Sequence, residues 1–438
     1  MQKRDGWDVG AGRLRALVRY GRQVYDLRER FAGVRDRRRV PRTKPPQVAA
    51  AIFFTGLLRF RSFNALEPRL REKPFLQLLG SRPEMRRLCS VDTLSRALRG
   101  TDLETVRAIS VGILRQAERN KVFREGWLGT LRYVAVDAWE PFASQRQHCP
   151  RCLVRRLKFK QADGSILEVP EYYHRYVVAM LLGPRFDLVL DYEPLLPHAL
   201  RPAGMAKHGE DEGEQTAAER LLWRVKRTFP WVDVVVGDSL YANGRFLSVV
   251  KDLRMGAVII DRRDTDEPLR EALVLWENQP PERVVDDASG ERLELWDCRD
   301  LTTLETYSGP IRVVRGRVGR DSDKTQTWCV LVTGIATRLS SQQILAVARG
   351  RWHIENTGFH QWTTRWRFDH VFVHDDQGIR ALYWLFFAAF NLLTLFLYQQ
   401  VRSYGRDRGR DPTRTISRLI DEMVDDLARL DASPWDSS

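Results

Sequence analysis

Between residues 130 and 261 the apolar residues change period in a fixed order, and that order constrains the fold more than any other feature of the chain. Short apolar runs come at 132–136, 172–182 and 186–192. A stretch of helical spacing, Glu214 to Phe229, follows. A fourth run lies at 232–236, a short helical stretch spans Asn243 to Leu253, and a fifth run covers Gly256 to Ile260. Continuous apolar runs of this length fit strands covered on both faces, and amphipathic stretches between them fit the helices that do the covering. The expected core is α/β: a mixed sheet flanked by helices.

Acids stand at the ends of two of these runs. Asp137 closes Tyr133-Val134-Ala135-Val136, and Asp238 follows Val234-Val235-Val236-Gly237. A third acid, Glu355, sits in Arg351-Trp352-His353-Ile354-Glu355, on a predicted helix with Arg351 one turn earlier on the same face. Carboxylates on rigid elements can converge on a pair of divalent cations that clamp the attacking and leaving oxygens of phosphoryl transfer. In that reading Asp137, Asp238 and Glu355 hold the metal, and the Arg351 guanidinium fork grips a phosphate. The same spacing also fits a plain Arg351–Glu355 ion pair. The element order, with acids at those two strand ends, is that of a ribonuclease-H-like fold.

A net charge of +14 and a pI near 9.8 point to a polyanionic partner. Residues 1–46 hold fourteen Lys/Arg against five Asp/Glu, a surplus of nine. Arg37, Arg38, Arg39, Arg42 and Lys44 are therefore candidate DNA contacts, joined near the late acid by Trp352 and Arg365. Residues 1–125 read as a basic helical DNA-binding region. Pro45-Pro46 opens one helix, and Ser90 to Gly100 carries the cap and stop signals of another. Arg59, Arg61, Arg86, Arg87, Arg96 and Arg99 would line such a module. The first part of the core spans 126–261. A β-rich insertion spans 262–338, with strand-like runs at Ala272 to Leu275, Ile311 to Val314 and Trp328 to Val332. The helical close of the core spans 339–402, and a charged tail 403–438.

Five scattered cysteines fit a reducing compartment, and the first residues lack the apolar run of a signal peptide, so a cytoplasmic, nucleoid-associated protein is expected. Ala381 to Val401 is uncharged and long enough to span a bilayer. Asn391, Thr394, Gln399 and Gln400 interrupt it, so a core helix and no membrane partner are expected. His148-Cys149-Pro150-Arg151-Cys152, with His174 downstream, has the spacing of a zinc knuckle; reduced structural cysteines are the competing reading. Glu210 to Glu214 reads as a solvated helix entrance, and Asp369, His370, His374, Asp375 and Asp376 as a charged loop.

Taken together, these residues resemble bacterial DDE transposases of the cut-and-paste insertion-sequence type, the IS-four-like group with a Y-x2-R-x3-E-x6-K signature. Arg351 and Glu355 match its R and E, Gly237-Asp238-Ser239-Leu240-Tyr241-Ala242-Asn243 is similar to its second-acid stretch, and Val136-Asp137 fits its first. Ala348 and Trp362 stand where the signature has tyrosine and lysine, groups associated in the family with handling the strand near the cut. Arg349, His360, Gln361 and Arg365 are the neighbours able to replace them. The resemblance implies metal-dependent cleavage at transposon ends and strand transfer, with Mg²⁺ (or Mn²⁺) at the three acids. Transposon-end and target DNA would be the partners, and a homodimer the unit of a synaptic complex. A metal-dependent DNA nuclease on the same core and an inactive DNA-binding derivative stay open as alternatives.

Overall fold

The structure is a computed structural model that describes residues 12–82, 84–124, 129–183, 186–201, 211–261, 266–286, 292–304, 306–320, 323–400 and 412–435. The first eleven residues of the basic arm, Glu210 and residues 401–411 of the tail lie outside these.

Among the described residues, twelve strands form two sheets. They are β1 (Tyr133–Trp139), β2 (Ala143–Ser144), β3 (Leu153–Lys160), β4 (Ile166–Tyr173), β5 (Tyr176–Leu182), β6 (Asp187–Pro194), β7 (Val234–Gly237), β8 (Gly256–Asp261), β9 (Arg283–Asp286), β10 (Arg292–Leu301), β11 (Ile311–Arg320) and β12 (Asp323–Thr333). Nine of them make one mixed sheet in the order β6-β5-β1-β7-β8-β12-β11-β10-β9. Only β1, β7 and β8 run parallel to one another; all other neighbours are antiparallel. The helix Glu214–Thr228 links β6 to β7, and Gly244–Asp252 links β7 to β8. β5, β6, β7 and β8 are buried along their whole lengths, which is why they read as unbroken apolar runs. This large mixed sheet flanked by helices is consistent with a ribonuclease-H-like transposase fold.

Two expectations need correcting. The run at 172–182 is two strands in different sheets: β4 ends at Tyr173, His174 and Arg175 turn the chain, and β5 begins at Tyr176. β4 instead pairs with β2 and β3 in a small sheet, and the β3–β4 hairpin has most residues exposed on both faces. Ala272 to Leu275 is not a strand but the end of the helix Glu267–Leu275, which Pro268 initiates from the first turn. β12 pairs antiparallel with β8 and carries β11, β10 and β9 onto the same sheet.

Residues 381–400 of the uncharged segment lie in a 25-residue helix, Asp376–Gln400, whose apolar stretch is buried inside the protein. It packs on β6 and on the helices Leu103–Arg119, Pro45–Leu57 and Val91–Gly100. Asn391 explains its own presence there. Its Oδ1 accepts from Val189 N at 2.9 Å and its Nδ2 donates to Val189 O at 2.8 Å, pairing the outer backbone edge of β6. The tail is not only charged chain: the helix Pro412–Ala428 lies against Arg13–Tyr25, where Leu14 N donates to Asp426.

The N-terminal helices begin as their sequences predict. Pro45 starts one, and Ser90 caps another by accepting from Thr93 N at 3.3 Å. Of the candidate DNA contacts, Arg37, Arg39, Arg42 and Lys44 are exposed. Arg38 is engaged by Asp36 and the Thr43 carbonyl. Arg59 is not available to a groove: its guanidinium lies 5.2 Å from the Trp366 ring centroid and reaches Ser417. Arg87 pairs with Glu67, while Arg61, Arg86, Arg96 and Arg99 remain exposed.

Candidate active site

Asp137 and Asp238 are placed by the parallel part of the sheet, β1, β7 and β8. Tyr133, Val134 and Ala135 of β1 face Val234, Val235 and Val236 of β7. Continuing that register by two residues sets Asp137 level with Asp238 on strands about 5 Å apart. Asp238 is extended and accepts from Leu240 N at 3.0 Å, capping the turn Ser239–Tyr241.

Glu355 arrives from the other side of the chain. The helix Ser341–Gly350 starts with a capping box between Ser340 and Gln343, and after one turn the backbone widens to a π-helix over Ile354–Phe359. Single π turns inside helices frequently sit at functional sites, because the extra residue re-aims the side chains around it. Here that segment packs against β1 and β6. Gly358 permits the approach: a Cβ there would sit 2.8 Å from the Met180 methyl on β5.

Arg351 joins two of the acids. Its Nη1 donates to Asp137 Oδ2 at 2.9 Å and its Nη2 to Glu355 Oε1 at 2.6 Å, with the guanidinium itself buried. The anticipated Arg351–Glu355 ion pair therefore exists, and it includes Asp137. Trp352 is half exposed and Arg365 exposed near this helix. His353 turns away to bond Asp187 at 3.0 Å, which raises its pKa against the opposing effect of burial.

A fourth acid belongs to the site, and its sequence context concealed it. Glu214 was expected in a solvated helix entrance, but its side chain is only 9% exposed. Its Oε1 accepts from Tyr241 Oη at 2.8 Å and its Oε2 from Arg175 at 2.9 Å. Tyr241 reaches it because Gly237 has no Cβ, which would sit 2.7 Å from the ring. Glu212 of the same run is also buried, held by Arg220. The signal was the helical spacing that places Glu214 at the first turn after β6; nothing in the sequence named its partners.

The electrostatics follow from this crowding. Burial pushes the Asp137 carboxyl up to about 6; Arg351 pulls it down, while the nearby charges of Glu214 and Asp238 push it up again. Glu214 is likewise raised, first by burial and then by Asp238. Four carboxylates against two arginines, Arg351 and Arg175, leave excess negative charge and hard oxygen donors, which is the chemistry that fits Mg²⁺ or Mn²⁺.

The two departures from the signature are core residues. Ala348 and Trp362 are both fully buried, Trp362 with its ring 5.2 Å from Trp139 and 4.7 Å from Phe387. Gln361 is buried as well, whereas Arg349, His360 and Arg365 are exposed.

The expected zinc knuckle changes membership. Cys149, Cys152 and His174 come together, but His148 is exposed and stacks on Tyr172. The fourth place is taken by His374, which leaves the charged loop in which it was expected. Asp376, from the same loop, heads the long helix and is buried beside Arg151 and Arg380.

No curated protein matches the chain. Residues 195–392 match the family model of the transposase DDE domain, a span that contains Glu214, Asp238, Arg351 and Glu355 and begins after Asp137. Over that span the chain is similar to the transposase DDE domain, and the match supports a DDE transposase, an enzyme that acts on DNA.

Proposed function

We propose that this protein is a cut-and-paste DNA transposase of the IS-four-like group, with a ribonuclease-H-like core and Asp137, Asp238 and Glu355 as its metal-binding acids. The observation that carries the reading is the Arg351 bridge between Asp137 and Glu355, with Asp238 level with Asp137 on the next parallel strand. The transposase DDE match over the second and third of these acids supports it. Bound Mg²⁺ would activate a water and neutralise charge on the departing oxygen. The chain's own groups do the positioning. Arg351 holds Asp137 and Glu355 close together, and with a cation balancing the acids its guanidinium would be able to grip a backbone phosphate. Tyr241 and Arg175 fix Glu214 behind the two aspartates. Hydrolysis at each element end would leave a 3′-hydroxyl, which the same site then directs at target DNA. Two ends must be held together for this, so a homodimer in a synaptic complex is the expected unit. Arg37, Arg39, Arg42, Lys44, Trp352 and Arg365 are the proposed DNA contacts.

The test uses the DNA flanking the gene. Purified protein with Mg²⁺ and a plasmid bearing both flanks is expected to cut at two boundaries, leaving 3′-hydroxyl ends. Scattered metal-dependent cutting would favour a nuclease, and binding without cutting in Mg²⁺ or Mn²⁺ an inactive derivative.

The raised Asp137 carboxyl gives a pH dependence with a definite sign. Below about pH 6 a cation must displace a proton from Asp137, and above it the carboxylate is already ionised. The Mg²⁺ concentration that half-saturates the site is expected to rise about tenfold per pH unit below that point and to flatten above it. Titrating the Mg²⁺-induced shift in thermal midpoint from pH 5 to 8 measures this; a requirement independent of pH would remove Asp137 from the ligand set.

A further inference from the structure

Four side chains outside the acid site come together at the foot of the small sheet. Cys152 immediately precedes β3, and Cys149 lies three residues earlier. His174 immediately follows β4, and His374 stands two residues before the helix Asp376–Gln400. Cys149 Sγ and Cys152 Sγ are 3.8 Å apart, and His174 Nε2 is 3.4 Å from the first and 3.5 Å from the second. His374 Nε2 is 3.4 Å from Cys152 Sγ, and all four atoms lie within 4.8 Å of one another.

Four of the six separations match the edges of a tetrahedral coordination shell. Zinc bonds of about 2.3 Å to sulfur and about 2.0–2.1 Å to nitrogen, at tetrahedral angles, put two sulfurs about 3.8 Å apart and sulfur and nitrogen about 3.6 Å apart. A disulfide is excluded by the same numbers, since its sulfurs would be about 2.05 Å apart. Hydrogen bonding explains the set poorly, because thiols are weak donors and four such groups converge on one point. His374 points the same way: its Nδ1 is buried without a hydrogen-bond partner, so the polar contact of the ring is on the sulfur side.

We infer that Cys149, Cys152, His174 and His374 bind one structural Zn²⁺, which ties both feet of the β3–β4 hairpin to the head of the long core helix. Two sulfurs and two imidazoles in a closed tetrahedron select zinc and leave no position for substrate. The mechanical consequence follows from where the ligands sit. Three come from the strand ends that launch and receive the hairpin, and the fourth from the chain that runs from Glu355 into Asp376–Gln400. Arg151, inside the knuckle, reinforces the tie by pairing with Asp376 at 3.5 Å. An exposed hairpin with Arg155, Arg156, Lys158 and Lys160 on β3 is thereby held at a fixed angle to the core, with little apolar packing of its own. This inference stands whether or not the acid site cuts DNA.

Elemental analysis of the full-length protein, purified without chelator, is expected to give one zinc per chain. His374→Ala should lose it and His148→Ala should keep it. Because Cys149→Ser or Cys152→Ser can fail to fold, the wild type is also exchanged with Co²⁺. Thiolate charge-transfer and tetrahedral ligand-field absorption are expected at one equivalent. Chelation should increase hydrogen exchange in residues 153–173 while leaving β1, β5 and β7 protected. A metal-free wild type that takes up no Co²⁺, zinc retained by His374→Ala, or a Cys149–Cys152 disulfide would each overturn the assignment.

Discussion

Asp137→Asn is expected to abolish cleavage while making the metal-free protein slightly more stable. The loss of activity follows from removing a charged oxygen ligand at the centre of the acid group. The several kcal/mol that a bound cation supplies to phosphoryl transfer corresponds to at least about 10³-fold in rate. The gain in stability follows from linkage. The folded Asp137 carboxyl is raised to about 6, above its unfolded value, so it favours the folded state below about pH 4 and that contribution is lost as pH rises through 6. At pH 7.5 the ionised carboxylate therefore costs up to about 3 kcal/mol, which asparagine removes. Asparagine also takes from buried Arg351 one of its two acidic partners, so a net gain of about 1 kcal/mol is expected. Thermal melts in EDTA should rise by on the order of 1–2 °C, and Mg²⁺ should stabilise the wild type but not the variant. DNA binding should be kept, because the basic surface is untouched. Asp137→Asn protein that still cuts at the same ends would place the chemistry elsewhere.

A site that is unstable without its ligand is poorly visible to propensity, yet its backbone was legible here. Asp137 and Asp238 were readable because β-branched runs end at them, and Glu355 because helical spacing placed Arg351 one turn away. Those are local signals, carried within a few residues. What was not legible depends on contacts between distant segments. Glu214 lay in an acid run that looks solvated, and only Tyr241 and Arg175 make it part of the site. His374 lies 222 residues from Cys152, so no spacing rule would have joined them, and adjacent His148 was the natural but wrong fourth ligand. The strand break at His174 was hidden because residues on both sides have strand character; which sheet each half joins is decided by pairing partners. Ala272 to Leu275 misled for the opposite reason: a short apolar run carries no period, and the proline four residues earlier was the better guide.

Trp362→Lys puts in the signature lysine of the transposase group that the chain resembles, and it is expected to unfold the core instead of improving the site. Trp362 is fully buried among Trp139, Phe359, Phe387 and Phe390, with ring centroids 4.7–5.9 Å away. Removing a tryptophan from such a core costs about 3–5 kcal/mol. The ammonium then has to be buried without a partner or drop its proton, which adds to that loss. A penalty of about 5 kcal/mol is comparable with the whole stability of many domains. Trp362→Phe, which keeps an aromatic ring in the cluster, should cost far less. Urea denaturation of the three proteins decides the matter: Trp362→Lys with a midpoint equal to wild type would mean the side chain escapes to the surface, and the lysine's usual place would then be reachable. Ala348 argues the same way, because a tyrosine there would overpack a buried helix face by about 1–3 kcal/mol. Both positions belong to the core of this chain. Strand handling in the proposed reaction therefore falls to exposed groups beside the acid helix, with Arg349, His360 and Arg365 the residues in place to take it.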